Sequence, residues 1–142
     1  MIIILDTDVL TIVQRRAGEE YNRLCARLQA AGPQPVCVTI VTFEEQMRGW
    51  LAWIARAKTL EQQQQGYARL RALLEDFQTR PILDFEERAV VQFRQLTRAR
   101  IRIGSMDLKI AAIVLTHNAL LISRNLKDFR KVPGLKVEDW TV

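Results

Sequence analysis

The 142-residue sequence predicts an α/β domain with a central, mostly parallel sheet, and three observations carry that expectation. Short apolar, β-branched runs alternate with longer segments of helical periodicity, the order that strand-helix-strand units require. The first run, Ile2-Ile3-Ile4-Leu5, has no polar face, as expected of a strand buried on both sides of a parallel sheet. Acids or amides follow several of these runs, and open parallel sheets bind ligands beyond the carboxyl ends of their strands.

Taken in order, Ile2 to Leu5 is the first strand and Val9 to Arg16 a short helix that Gly18 interrupts. Glu19 to Ala31 is amphipathic, with Tyr21, Leu24, Cys25 and Leu28 on one face, and Gly32-Pro33 stops it. Pro35 to Thr39 is a second strand. Thr42 to Ala57 reads as a helix with Met47, Trp50, Leu51 and Ile54 at i, i+3, i+4 and i+7, and Thr42 and Glu45 have the spacing of a capping box. Glu61 to Gln78 is a further helix, with Leu60, Tyr67, Leu70, Leu74 and Phe77 expected on its inner side. Ile82-Leu83 is a minimal strand, and Glu86 to about Arg100 a helix turning Val90, Phe93 and Leu96 inward. Ser105 is the expected cap of Met106 to His117, which has so little polar surface that it should be largely buried. Asn118 ends it, Leu120 to Ser123 is a strand, and Leu135 to Trp140 closes the chain after the Pro133-Gly134 turn.

No linker, repeat or composition shift divides the sequence, so residues 1–142 read as one domain. Apolar residues make up 49% and charged residues 26%, a globular composition. Cys25 and Cys37 lack the spacing of a metal knuckle or redox pair and read as small hydrophobes in a reducing compartment. The N-terminus lacks a secretory pattern, and Ile110 to Leu115, the longest later apolar stretch, is too short to cross a bilayer. Those features predict a cytoplasmic protein without a membrane partner. Net charge is +5 and arginine outnumbers lysine 16 to 5, which suits a phosphate-rich partner because guanidinium binds phosphate oxygens in pairs.

The acids are the informative part. Asp6 and Asp8 follow the first strand, Glu44 and Glu45 the second, Asp107 opens the buried helix, and Asn125 and Asp128 follow the Leu120 strand. Carboxylates brought together tolerate joint ionisation only if protons or a cation offset the charge. Oxygen donors without histidine or cysteine suit Mg²⁺, or Mn²⁺ in its place, rather than zinc. Such ions activate a water and stabilise an in-line phosphoryl displacement.

The Ile3-Ile4-Leu5-Asp6-Thr7-Asp8 opening, Val38-Thr39 followed by Glu44, the Ile103 to Ala112 run around Asp107, and Ser123-Arg124-Asn125-Leu126-Lys127-Asp128-Phe129 through Leu135 together resemble PIN-domain toxins of the VapC type, in the family's order. The resemblance implies a three-layer α/β/α, PIN-like domain that cleaves RNA with Mg²⁺, is inhibited by a small antitoxin and forms a homodimer. It implies that Asp6, Glu44 and Asp107 hold the metal. The fourth place, an acid in many members, is Asn125 here, so either that amide or Asp128 completes the site. Arg98, Arg100 and Arg102, just before the Asp107 segment, are candidates for RNA phosphates.

Three other readings of the same residues exist. Asp6 and Asp8 resemble the nucleophile and acid/base pair of haloacid-dehalogenase-type phosphatases, with Ser123 as their second motif. A PIN-like scaffold that binds RNA or protein without catalysis is suggested by Asn125. A receiver domain would need Asp84 as phosphoacceptor. Asp107 alone is explained by the helix dipole, Asp8 either by a cap before Val9 or by a supporting place at the metal, and His117 by a helix end. Trp50 and Trp53 cannot share one direction with Leu51, so part of that apolar surface is expected to meet an antitoxin or a second subunit.

Overall fold

The fold follows from where apolar side chains alternate and where they recur every helical turn. A computed structural model describes residues 1–142, in the order β1 (Ile3–Leu5), α1 (Thr7–Arg15), α2 (Glu19–Ala30), β2 (Val36–Thr39), α3 (Ile40–Arg56), α4 (Leu60–Gln78), β3 (Ile82–Leu83), α5 (Glu87–Arg98), α6 (Ser105–Thr116), β4 (Leu120–Ile122), α7 (Leu126–Phe129) and β5 (Lys136–Glu138). The five strands form one sheet in the order β3-β2-β1-β4-β5, and every pairing is parallel. Strand order reverses at β1, with β2 and β3 on one side and β4 and β5 on the other. That reversal opens a crevice between the carboxyl ends of β1 and β4.

All three residues of β1 are buried, as its apolar composition anticipated. Their alternation assigns them to two cores. Ile4 and Leu121 face the α5 and α6 side, with Ala89, Leu96, Ile110, Ile113 and Phe129. Ile3, Leu5 and Ile122 face the α1 and α2 side, with Leu10, Leu24, Leu73 and Phe77. Helices on both faces make the three-layer α/β/α arrangement expected. Helix α6 is buried from Ile110 through Val114, which leaves only its first turn to carry polar chemistry. None of the helices is long and apolar enough to cross a membrane.

Several local expectations are corrected. Thr39, not Thr42, caps α3: its hydroxyl accepts from the Thr42 N–H at 3.2 Å, so the helix starts earlier and no capping box forms around Glu45. Asp6 rather than Asp8 caps α1, and Ser105 is the first residue of α6, with Gly104 as the cap. The single turn α7 has no counterpart among the expected elements; the wholly buried Phe129 ties it down. Cys37 is buried, Cys25 is half-buried, and both are free thiols.

Helix α4 shows the largest departure. Of its expected inner residues, Phe77 is buried and Leu70 half-buried, but Leu60, Tyr67 and Leu74 are 79%, 59% and 49% exposed, and Gly66 and Leu73 are buried in their place. Adjacent helical positions differ by 100°, so the helix is turned by about one position from the face that side-chain size suggests. Gly66 sets this rotation. A Cβ there would lie 2.5 Å from Ile54 Cγ1 and 2.8 Å from Trp53 Cε3, so α3 and α4 approach at a point where only a hydrogen fits. Trp53 thus packs against α4 within the chain, while Leu51, Tyr67 and Leu74 remain exposed. Gly66→Ala is expected to lower stability by about 1–2 kcal/mol through overpacking, although alanine is the better helix former. A denaturant midpoint that rises in this variant would overturn the close-packing account.

Candidate metal centre

Asp6 ends β1 and Ser123 ends β4, so the switch in strand order places them side by side. The Ser123 hydroxyl donates to Asp6 Oδ2 at 2.7 Å, and the Thr7 N–H donates to Asp6 Oδ1 at 2.8 Å. Asp6 thus caps α1 and is 5% exposed. Burial and then the Asp8 carboxylate push its pKa up to about 7, against the two hydrogen bonds, and Asp107 adds to the rise. Asp8, in the first turn of α1, accepts from the Arg124 N–H at 3.3 Å through Oδ2, while its buried Oδ1 has no partner. Burial raises this carboxyl as well.

Asp107 lies in the first turn of α6. Burial raises its pKa most, followed by repulsion from Glu45, Asp128 and Asp8. Asn125 sits between two of these acids: its Nδ2 donates to Asp107 Oδ2 at 3.3 Å and to Asp128 Oδ2 at 3.2 Å, and its own N–H donates to Ser123 Oγ at 2.9 Å. Asp128 is held low by that amide, with Lys131 contributing at 3.4 Å. The amide therefore stabilises negative charge where a further acid would add to it.

The two glutamates of α3 part company. The Thr7 hydroxyl donates to Glu45 Oε1 at 2.7 Å, and Glu45 acts on Asp107, so Glu45 belongs to the acidic group. Glu44 instead pairs with Arg48 at 2.6 Å and lines a mainly apolar cleft with Met47, Leu51, Phe85 and Lys109. The structure thus sets Glu44, the expected ligand, apart from the group around Asp6 and Asp107, and sets Glu45 within it. Once Thr39 is the cap, Thr42 is buried toward α1, and Glu45, three residues on, shares its face. Ser123 and Thr7, which orient Asp6 and Glu45, had no ligand role in the sequence reading, and nothing in their local sequence signals one. Arg98, Arg100 and Arg102 are exposed at the end of α5 and in the connection to α6, and none forms an ion pair.

Oxygen donors from four segments thus meet at one sheet edge. No three acidic, histidine or cysteine side chains stand at metal-ligand spacing in this conformation; hydroxyl and amide groups interleave them. The chemistry of the set nevertheless fits a hard divalent cation. Burial raises three of its aspartates, repulsion within the group adds to the rise of Asp6 and Asp107, the donors are all oxygen, and Asp8 keeps a buried oxygen without a hydrogen-bond donor.

The PIN domain family model matches residues 3–135. Ribonuclease VapC2 of Haemophilus influenzae strain Rd is 30% identical over 142 residues, covering 96% of this chain and 96% of its own. Among solved structures, VapBC-1 from nontypeable Haemophilus influenzae superposes with a TM-score of 0.75 at 24% identity, over 100% of both chains. VapBC2 from Rickettsia felis, bound to a DNA fragment from their promoter, gives 0.70 at 25% identity over 99% of both chains. These matches set aside the phosphatase and receiver readings, in which Asp6 or Asp84 would be a nucleophile. With its parallel sheet order, its acids at the β1–β4 crevice and a family match spanning nearly its whole length, the chain belongs to the PIN-domain family, among the VapC ribonucleases.

Proposed function

We propose that this protein is a Mg²⁺-dependent endoribonuclease and the toxin of a toxin-antitoxin pair, with Asp6, Glu45 and Asp107 as the acids that hold the cation. The observation that carries the reading is the convergence of those three acids, from β1, α3 and α6, beside Asn125 and Asp128. Mn²⁺, with the same preference for oxygen, substitutes for Mg²⁺. When bound, the cation supplies the charge that activates a water for attack on the phosphodiester and stabilises the displaced oxygen.

The chain's own residues do the positioning. Ser123 and Thr7 hold the two oxygens of Asp6 in fixed directions, and the Thr7 side chain does the same for Glu45. Asn125 keeps Asp107 and Asp128 together despite their repulsion. Asp8 contributes its unpartnered oxygen behind these groups. Arg98, Arg100 and Arg102 offset the acidity of the site for a polyanionic strand at the α5–α6 connection. The exposed Leu51, Tyr67 and Leu74 suit an antitoxin, and the active unit is a homodimer in the cytoplasm.

The test is cleavage of total RNA by purified, antitoxin-free protein with Mg²⁺ and with chelator. Glu45→Gln is expected to reduce Mg²⁺-dependent cleavage on the order of 100-fold, as loss of a preorganised charge does, and Glu44→Gln by less than about threefold. Equal losses would overturn the choice of Glu45; no cleavage by any form would overturn the nuclease reading.

A further inference from the structure

Away from the acids, α1, α3 and α4 enclose a second polar cleft of about 250 Å³, lined by Gln14, Arg16, Trp50, Arg69, Asp76 and Arg80 among others. Arg80 is spoken for. Its Nε and Nη2 reach the two oxygens of Asp76 at 2.7 and 3.0 Å, and Gln14 Nε2 donates to the same carboxylate at 3.0 Å. Arg16 and Arg69 make no ion pair or side-chain hydrogen bond, although the Arg16 charge acts on Asp76 from farther off and helps to hold that carboxyl low. The cleft therefore carries a net charge of +2 from three guanidinium groups and one carboxylate.

Arg69 stacks on Trp50, with Cζ 5.9 Å from the ring centroid, which restricts its swing. Arg16 ends α1 with φ +55°, a left-handed conformation that glycine adopts without cost and an arginine only with strain. Local backbone energetics favour glycine there, whereas the C-terminus of α1 and the nearby Asp76 carboxylate favour a cation.

The cleft is joined to the acidic site. From Thr7, bonded to Glu45, a polar seam runs along α1 through Thr11 and Gln14, which meet Gln46 of α3, to Asp76 of α4. Ten residues of helical rise separate Asp6 from Arg16, about 15 Å.

We propose that Arg16 and Arg69 form a remote phosphate subsite for single-stranded RNA, binding the backbone a few nucleotides from the scissile bond while the strand follows the α1–α3 seam. The proposal rests on the nuclease reading for its substrate. Two guanidiniums that make no bond within the protein can offer paired bonds to phosphate oxygens, and the polar seam leading to the acidic site gives a nucleic-acid strand a path that an acidic peptide has no need of.

The experiment measures binding of a labelled 16-nucleotide single-stranded RNA by fluorescence anisotropy across a salt series, in a cleavage-silent Asp107→Asn background. Arg16→Gly and Arg69→Ala should each weaken binding about tenfold at low salt, and each should make the slope of log K against log salt shallower by about 0.7, or about 1.4 together. Arg16→Gly should at the same time leave the thermal midpoint within about 2 °C of the parent, because relieved backbone strain offsets the lost charge at the helix end. Lost RNA affinity beside undiminished stability separates a ligand role from a structural one. An unchanged slope overturns the subsite, as does weakened binding of polyglutamate with RNA binding intact, which would make the cleft a protein-docking site. Cleavage by the parent protein is read independently: arginine-dependent binding without any cleavage sinks the nuclease reading and leaves the subsite, whereas cleavage with arginine-independent binding sinks the subsite alone.

Discussion

Asp107→Asn is expected to lower Mg²⁺-dependent RNA cleavage by a factor on the order of 10²–10³ while leaving the protein folded. The aspartate's place in the first turn of α6 is worth about 0.3–1 kcal/mol through the helix dipole, and a capping role alone would need nothing more. Its surroundings argue for more. Burial, Glu45, Asp128 and Asp8 all raise its pKa, so the fold places this charge where charge is disfavoured. An asparagine still accepts the Asn125 Nδ2 hydrogen bond, now 3.3 Å long, and fits the same space, so the substitution removes charge and little else. The measurement is single-turnover cleavage of total RNA, with circular dichroism as the folding control. Activity within tenfold of the parent would mean that Asp107 is a helix-dipole residue and not a ligand.

Metal-free protein should be less stable at pH 8 than at pH 5, and Asp6→Asn should remove most of that difference. The folded pKa of Asp6, about 7, lies above the ordinary value of 3.8, so between those values the native state holds a proton that the unfolded chain releases. The contribution to stability is therefore complete below about pH 4 and is lost as pH rises through 7. A shift of this size corresponds to about 4 kcal/mol, an upper figure because neighbouring acids share the repulsion. Asparagine at position 6 keeps the cap on α1, since the two residues serve equally well there. Urea midpoints at pH 5 and 8, with and without 10 mM Mg²⁺, check the expectation: the cation should restore stability to the parent at pH 8 and do little for the variant. A parent protein whose stability in chelator is the same at both pH values would show that Asp6 ionises freely in the native state.

Together these expectations describe a site that costs stability to keep. Asp6 is an adequate cap and Asp107 an adequate first-turn residue, yet each would be more stable as an amide at neutral pH. Such a conflict between stability and residue choice is characteristic of functional positions. Arg16 shows the same conflict in its backbone.

The sequence alone determined the order of strands and helices and the edge at which the acids gather. Both are local properties. Whether a segment repeats its apolar residues every second or every third and fourth position is written within it, and a parallel sheet sends every strand end the same way. Ile3 to Leu5, the buried run of α6 and the carboxyl-end acids were legible for that reason. Tertiary structure decided which glutamate stands beside Thr7 and Asp107, which face of α4 is buried, and what Ser123, Thr7 and Asn125 hold in place. Glu44 and Glu45 differ by 100° around one helix, and the rotation of that helix is set by Thr39 capping its start, Thr7 meeting Glu45, and Gly66 admitting Trp53 and Ile54. Those contacts join residues far apart in the chain, so a reading that proceeds segment by segment has no term in which to express them.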